Sequence, residues 1–247
     1  MIEQAIVLAA GKGTRLRATD DALPKPLTTV GGTPLIKRTI LTLGKAGVKR
    51  VVIVTGFMAD QVRATVAGDP AYAAAGIEIV FAHNPEFELA NGVSVLVGGA
   101  ACNGPFALSM ADHIYTPAIA KLVVASDMAA ADLYLATDPR IDQVLDIDDA
   151  TKVRTEAGNI VEIGKQLQQY DRIDCGVFAV SARLLDALRE ERAERGDCSL
   201  SDGVRRLARA GRARVVDIGD EHWQDVDTPA DREHAERALG EPAGKLR

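Results

Sequence analysis

Apolar residues come in short uninterrupted blocks, and between the blocks they recur at helical spacing. The two patterns alternate along most of the chain. Residues 5–8 are aliphatic without polar interruption, the signature of a strand covered on both faces. A helical stripe follows through Leu35, Ile36, Ile40 and Leu43 to Ala46. Thr33 and Pro34 are placed to act as N-cap and first helical residue, and Gly47 as the stop. Further strands are predicted over 51–54, 77–81, 106–109 and 133–136, with a weaker helix over 59–66 and another beginning near Gly92. Beyond about residue 140 the rhythm changes. Residues 152–155 and 160–163 alternate around Glu156-Ala157-Gly158-Asn159, which predicts a hairpin. A strand over 173–180, helices over 182–194 and 201–210, a short strand at 215–216 and a tail helix after Thr228-Pro229 complete the pattern. Alternation of this kind predicts an α/β fold with a mixed, mostly parallel sheet flanked by helices. No Gly-, Ser- or Pro-rich linker and no repeat divides residues 1–247, so one domain is expected, with a change of character near residue 140.

Composition narrows the class of function. The 247 residues are 47% hydrophobic, 4% aromatic and carry a formal net charge of −6, which disfavours a nucleic-acid binder and disorder alike. Positive charge is local: Lys12, Arg15, Arg17 and Lys25 crowd one early segment, a distribution suited to a small anion. Cys102, Cys175 and Cys198 lie far apart, without the spacing of a zinc site or a disulfide framework. No signal peptide is visible ahead of the first strand, and no apolar run reaches the roughly 18 residues of a membrane span. A cytoplasmic protein without a membrane segment is the expectation.

The densest chemistry follows the first strand: Leu8-Ala9-Ala10-Gly11-Lys12-Gly13-Thr14-Arg15-Leu16, then Pro24-Lys25-Pro26-Leu27. Glycines let backbone amides approach an anion, and Arg15 and Lys25 add charge on either side, so the segment reads as a polyphosphate loop. It is not a Walker A loop, since one residue rather than four separates Gly11 from Gly13. Nor is it the dinucleotide fingerprint, because Leu16 stands at the third glycine. The pairing resembles the opening of nucleotidyltransferases that join a sugar phosphate or alcohol phosphate to a nucleoside triphosphate.

Transfer between two anions calls for a divalent cation held by carboxylates. Asp112 ends the apolar block at 106–109, where ligands of open α/β sheets gather, although alone it would be an ordinary cap or loop aspartate. Asp225 and Asp227 share a face if their segment is extended, and paired carboxylates suggest a cation between them. Asp227 could equally cap the tail helix, a role Thr228 could also fill.

The resemblance then extends in order along the chain: Ser109-Met110-Ala111-Asp112-His113-Ile114-Tyr115, Ala150-Thr151-Lys152-Val153, Ile163-Gly164-Lys165, Asp174-Cys175-Gly176-Val177-Phe178 and Trp223-Gln224-Asp225-Val226-Asp227-Thr228. Together these segments resemble the CTP:inositol-1-phosphate cytidylyltransferase family. The resemblance implies a Rossmann-like fold of the GT-A type, with nucleotide bound by about 1–140 and acceptor by about 141–240. It implies that Leu8, Ala10, Gly11, Gly13, Thr14 and Arg15 hold the triphosphate and that Lys25 neutralises charge at the α-phosphate, Arg15 and Lys25 being the catalytic pair. Asn91, Gly92 and Ser94 fall where such enzymes meet base and ribose, and Asp112 would also face the nucleotide. Asp112, Asp225 and Asp227 would bind Mg²⁺. Asp138, Lys152, Lys165, Asp174 and Gly176 would meet the phosphorylated alcohol, Lys165 at its phosphate. Cys175 departs from the family pattern, where threonine is more familiar. Many members are fused to a membrane synthase, so the product is expected to pass to a separate membrane enzyme. CTP with inositol-1-phosphate is the favoured substrate pair. Phosphocholine, a small phosphonate or a sugar-1-phosphate are the alternatives, and a nucleotide-sensing module is the non-enzymatic one. The aromatic content of 4% weighs against a cation–π cage for choline.

Overall fold

The computed structural model describes residues 1–17 and 23–240, except the side chains of Arg15 and Arg17. Nine strands form one sheet in the spatial order Glu78–His83, Arg50–Thr55, Gln4–Ala9, Phe106–Met110, Arg172–Val180, Leu133–Asp138, Ala213–Asp217, Asn159–Gly164, Lys152–Glu156. The first four strands of this spatial order are mutually parallel. Glu78–His83 and Arg50–Thr55 lie on one side of Gln4–Ala9, and Phe106–Met110 lies on the other. The chain therefore reverses direction across the sheet between Gln4–Ala9 and Phe106–Met110. Just outside such a reversal, at the carboxyl ends of the strands, open α/β sheets have a crevice.

The far half differs from expectation. Arg172–Val180 inserts antiparallel to both Phe106–Met110 and Leu133–Asp138, and Lys152–Glu156 and Asn159–Gly164 form an antiparallel hairpin. The sheet is thus mixed, and parallel chiefly in its first half. Apolar blocks report burial on both faces but carry no information on strand direction, which long-range partners decide. The hairpin itself lies where the alternation placed it, turning through Ala157 (φ 49°) and Gly158 (φ 78°).

Period-two geometry divides each buried strand between two apolar layers. Ala5, Val7 and Ala9 pack with Ile36, Ile40, Leu43 and Ile119 from the Leu35–Lys45 and Pro117–Val124 helices. Ile6, Leu8 and Ala10 pack on the other face with Val93, Leu184, Leu188 and Val204 from the Asn91–Gly99, Ala182–Arg195 and Leu200–Arg209 helices. This two-sided cover is why the strands read as continuous apolar runs. A third apolar cluster joins Leu16, Val30, Leu35, Ile114, Val226, Ala235 and Leu239, tying the Pro229–Gly240 helix to the segment after the glycine loop.

Two local expectations are corrected. Thr33–Pro34 is a strand paired with Thr29–Val30, and the helix starts one residue later, with no side-chain cap. Gly47 does follow that helix with φ 100°. The tail helix is capped by Thr228 rather than Asp227: Thr228 Oγ accepts from the Asp231 amide at 3.2 Å, and Asp231 Oδ2 accepts from the amides of Asp227 and Thr228. This capping box leaves the Asp227 carboxylate available elsewhere.

Candidate active site

A cavity of about 490 Å³ opens at the strand reversal. Its wall begins with Leu8, Ala10, Gly11, Gly13 and Thr14, the end of the first strand and the loop beyond it. Gly13 has φ +58°, and a Cβ there would fall 2.4 Å from the Cβ of Lys25. The second loop glycine thus does more than admit an anion: it lets the Lys25 stem pass beneath the loop. Among the described residues, and apart from its chain neighbours, no heavy atom lies within 4 Å of where a Gly11 Cβ would be. Arg15 lines up with this loop in sequence, but its side chain lies outside the described residues.

Lys25 sits on the Lys25–Leu27 turn, buried, with its ammonium between two carboxylates. Nζ donates to Asp112 Oδ2 at 2.6 Å and also to Asp227 Oδ1. Burial opposes the charge on Lys25, but the two carboxylates outweigh it and raise its pKa above the ordinary value. Burial likewise disfavours the Asp112 anion, yet Lys25 and the His113 hydrogen bond hold its carboxyl well below the usual range. His113 Nδ1 meets Asp112 Oδ1 at 2.8 Å; burial opposes its protonation, and the surrounding aspartates raise its pKa nonetheless. The three groups form a charged cluster in a partly dry setting.

Asp225 ends the Trp223–Asp225 strand, which pairs with His113–Tyr115, and also lines the cavity. Burial raises its pKa, against the pull of His113, and Asp227 and Asp112 push in the same direction. Among the described residues, no three or more Asp, Glu, His or Cys side chains gather as a metal-binding group. Asp112 and Asp227 form an ion pair network centred on Lys25. An ammonium lies where the oxygens of Asp112 and Asp227 converge, while Asp225 stands beside it on the cavity wall.

Asn91 and Ser94 line the cavity, as do Phe87, Leu89, Leu200 and Ser201. Asn91 Oδ1 accepts from the Leu200 amide at 2.8 Å, and Asn84 Nδ2 donates to Ser94 Oγ at 2.9 Å. Gly92 is not part of the lining. It is a packing glycine, since a Cβ there would meet the Cys198 carbonyl oxygen at 2.5 Å. The sequence did not single out Phe87, Leu89 or Ser201, because their approach to the loop is purely tertiary.

The lining also includes Asp146, Asp149, Thr151, Lys165, Asp174 and Gly176. Lys165 Nζ donates to Asp149 Oδ1 at 2.7 Å. Lys152, expected at the acceptor, is buried outside the lining and donates to the Asp148 carbonyl at 3.0 Å. That bond ties Lys152 to the segment carrying Asp146 and Asp149. Asp138, expected to meet hydroxyls, is only 4% exposed, does not line this cavity, and is paired bidentately with Arg140. Its lone-pair sites are already used. Cys175 faces the core layer rather than the cavity, so exchanging it for threonine leaves the lining intact.

Asp174 stands at the bulge where Arg172–Val180 shifts register between Asp174 and Phe178. Burial pushes its carboxyl up to about 6, against the Gly176 amide at 2.7 Å and His113. A folded-state value above the ordinary carboxylate value means that the folded chain binds this proton more tightly than the unfolded chain. The associated stability is complete below about pH 4 and is lost as pH rises through the folded-state value. Asp174→Asn should therefore stabilise the protein by on the order of 2 kcal/mol near neutral pH and by little near pH 4. Thermal unfolding at the two pH values checks this; an equal gain at both would detach the effect from the Asp174 charge.

A glycine loop at the strand reversal and a buried lysine between two carboxylates suit the handling of a polyphosphate. The chain belongs to the family described as MobA-like NTP transferase domain, which it matches over residues 5–210. It is similar to the inositol-1-phosphate CTP transferase of T. maritima, with a TM-score of 0.83 and 30% identity covering 93% of this chain and 91% of that one. It is 37% identical over 240 residues to the bifunctional IPC transferase and DIPP synthase of Rubrobacter xylanophilus, covering 96% of this chain and 52% of the relative. It is 31% identical to the CMP-5'-(3-aminopropyl)phosphonate synthase of Streptomyces rubellomurinus, covering 99% of this chain and 40% of the relative. The chain thus spans about half the length of the curated relatives it matches first. Among the described residues no helix is long and apolar enough to cross a membrane.

Proposed function

We propose that the chain is a Mg²⁺-dependent cytidylyltransferase that converts CTP and inositol-1-phosphate to CDP-inositol and pyrophosphate, acting in the cytoplasm. The observation that carries the transfer chemistry is Lys25, buried beneath the glycine loop and shared by Asp112 and Asp227. The likeness to the T. maritima transferase over nearly the full length of both chains supports the choice of nucleotide and acceptor.

In this reading the acceptor phosphate attacks the α-phosphorus of CTP. A new oxygen–phosphorus bond forms as the bond to the bridging oxygen of the β-phosphate breaks, and that electron pair leaves with pyrophosphate. No base is needed, since a phosphate monoester is already a nucleophile near neutral pH. The amides around Gly11 and Gly13 cradle the leaving phosphates, with Arg15 assigned beside them, and Lys25 turns from the carboxylates to the α-phosphate as charge builds there. Asn91, Ser94 and Phe87 receive the nucleoside. Lys165 meets the acceptor phosphate, and Asp174 and Asp146 its hydroxyls. The donor set suits a hard divalent cation: all are carboxylate oxygens, and Asp112 and Asp227 already converge on one cationic atom. Such a cation, held by Asp112 and Asp227 with Asp225 beside them, would neutralise triphosphate charge. The sheet order of the first half supports a Rossmann-like, GT-A type fold with residues 1–140 as the nucleotide half and 141–240 as the acceptor half.

One observation favours a second acceptor class. Asp146, Asp149 and Asp174 make the acceptor end acidic, which would also suit the ammonium of an aminoalkylphosphonate. Pyrophosphate release with Mg²⁺ decides between them, crossing CTP, UTP, GTP, ATP and dTTP with inositol-1-phosphate, phosphocholine, 2-aminoethylphosphonate and glucose-1-phosphate. The expected result is the highest kcat/KM for CTP with inositol-1-phosphate. A dominant phosphonate signal would keep the mechanism and replace the acceptor, and no release from any pair would overturn the assignment.

A further inference from the structure

Asp138, excluded from the main cavity, begins a chain of contacts that ends on the Lys25–Asp112 pair. Arg140 Nε and Nη2 donate to Asp138 Oδ1 and Oδ2 at 2.9 and 3.0 Å, and the Arg140 amide donates to Oδ1 at 2.8 Å. Arg140 Nη2 also donates to the Glu221 carbonyl at 2.6 Å, which ties the loop after Leu133–Asp138 to the segment entering Trp223–Asp225. Asp138 Oδ2 accepts the indole Nε1–H of Trp223 at 3.0 Å. The indole stacks on the His113 ring, with centroids 6.1 Å apart and planes 14° from parallel. Gly176, with φ +72°, abuts the same imidazole so closely that a Cβ would fall 2.4 Å from His113 Cδ2. His113 in turn holds Asp112 Oδ1, leaving Oδ2 to face Lys25.

We propose that Arg140, Asp138 and Trp223 are positioning residues. They fix the His113 ring and, through it, the orientation of the Asp112 carboxylate, so that Oδ1 stays committed to His113 while Oδ2 remains aimed at the reaction centre. The need arises from the site's own charge arrangement. Asp112 is held in place by Lys25 on one oxygen, and Lys25 is the group that must leave it for the phosphate. A carboxylate without a second anchor would follow the ammonium or rotate, and the geometry would be lost at the moment of reaction. An indole N–H bonded to a bidentate Arg–carboxylate pair is a rigid anchor, because both partners are planar and already paired. A tryptophan held by packing alone would not need its N–H placed on a buried carboxylate.

The role in turnover rests on the transfer reading above; the geometry itself can be tested without it. Trp223 is the sole tryptophan of the chain, so its emission reports on this one place. The full chain with Asp138→Asn, and separately with Trp223→Phe, is compared with wild type for kcat, KM for CTP and thermal midpoint. Trp223→Phe keeps an aromatic face and removes the N–H, so it remains informative if Asp138→Asn folds poorly. The expected result is a 10- to 100-fold fall in kcat for both, with KM for CTP little changed in both and the midpoint little changed in Trp223→Phe. In Asp138→Asn, Trp223 emission should shift in the absence of nucleotide, and its response to CTP with Mg²⁺ should shrink. Wild-type kcat in both variants overturns the proposal, as does a fall in kcat that merely tracks a fall in midpoint. If wild type proves inactive on every substrate pair, the function reading fails by itself, and an unchanged Trp223 emission in Asp138→Asn still overturns the positioning chain.

Discussion

Lys25→Met should lower turnover about 100- to 1,000-fold, the cost of removing one preorganised cationic group from a charged transition state. The methionine keeps the stem that passes under Gly13, so the loop retains its packing and the charge alone is lost. Stability should fall as well, because Asp112 and Asp227 would be left as neighbouring carboxylates without their shared partner. Breaking a buried ion pair from one side costs about 3–5 kcal/mol, which a thermal midpoint will register. Adding Mg²⁺ should recover part of the lost stability by supplying a cation to the same oxygens, but not the lost turnover. Pyrophosphate release and thermal unfolding, each with and without Mg²⁺, measure both effects. Turnover near the wild-type level would remove Lys25 from the mechanism.

Asp112→Asn should abolish Mg²⁺-dependent turnover, by at least about 100-fold. The amide keeps the shape of the side chain but is a poor ligand for a hard cation, and it offers Lys25 no charge. The same variant carries a stability signature with a definite sign. Asp112 is held below its ordinary range in the folded state, so its contribution is present above about pH 4 and is lost as pH falls toward the folded-state value. Wild type should therefore lose stability on acidification over a range in which Asp112→Asn, already lacking that contribution, loses less. Full activity in Asp112→Asn would place the cation elsewhere, and identical acid profiles would mean that the Lys25–Asp112 pair contributes no net stability.

Much of this molecule was legible in the chain because the signals are local. Burial on both faces writes itself as uninterrupted apolar blocks, and the strands at 5–8, 51–54 and 106–109 lie where those blocks fall. A turn at Ala157-Gly158 demands residues tolerant of positive φ, and the hairpin is there. The glycine loop and Asp112 could be placed at strand ends because ligand sites in open α/β sheets gather there. Direction and partner choice were not legible. Arg172–Val180 carries the same apolar signal as its neighbours, yet it runs antiparallel between the two halves, because strand direction depends on partners more than thirty residues away.

Side-chain assignment divided along the same line. Residue type and spacing by themselves marked Gly11, Gly13, Lys25, Asp112, Asp225 and Asp227 as candidates for phosphate and cation binding, and the structure brings all six to one cavity. Only the tertiary structure decided that Lys25 lies between Asp112 and Asp227, that Gly92 packs against Cys198, and that Lys152 and Asp138 lie outside the cavity lining with their polar atoms already bonded. A buried carboxylate and a substrate-binding carboxylate are the same letter in a sequence. What separates them is whether their lone pairs are already satisfied, and that depends on groups brought from distant parts of the chain.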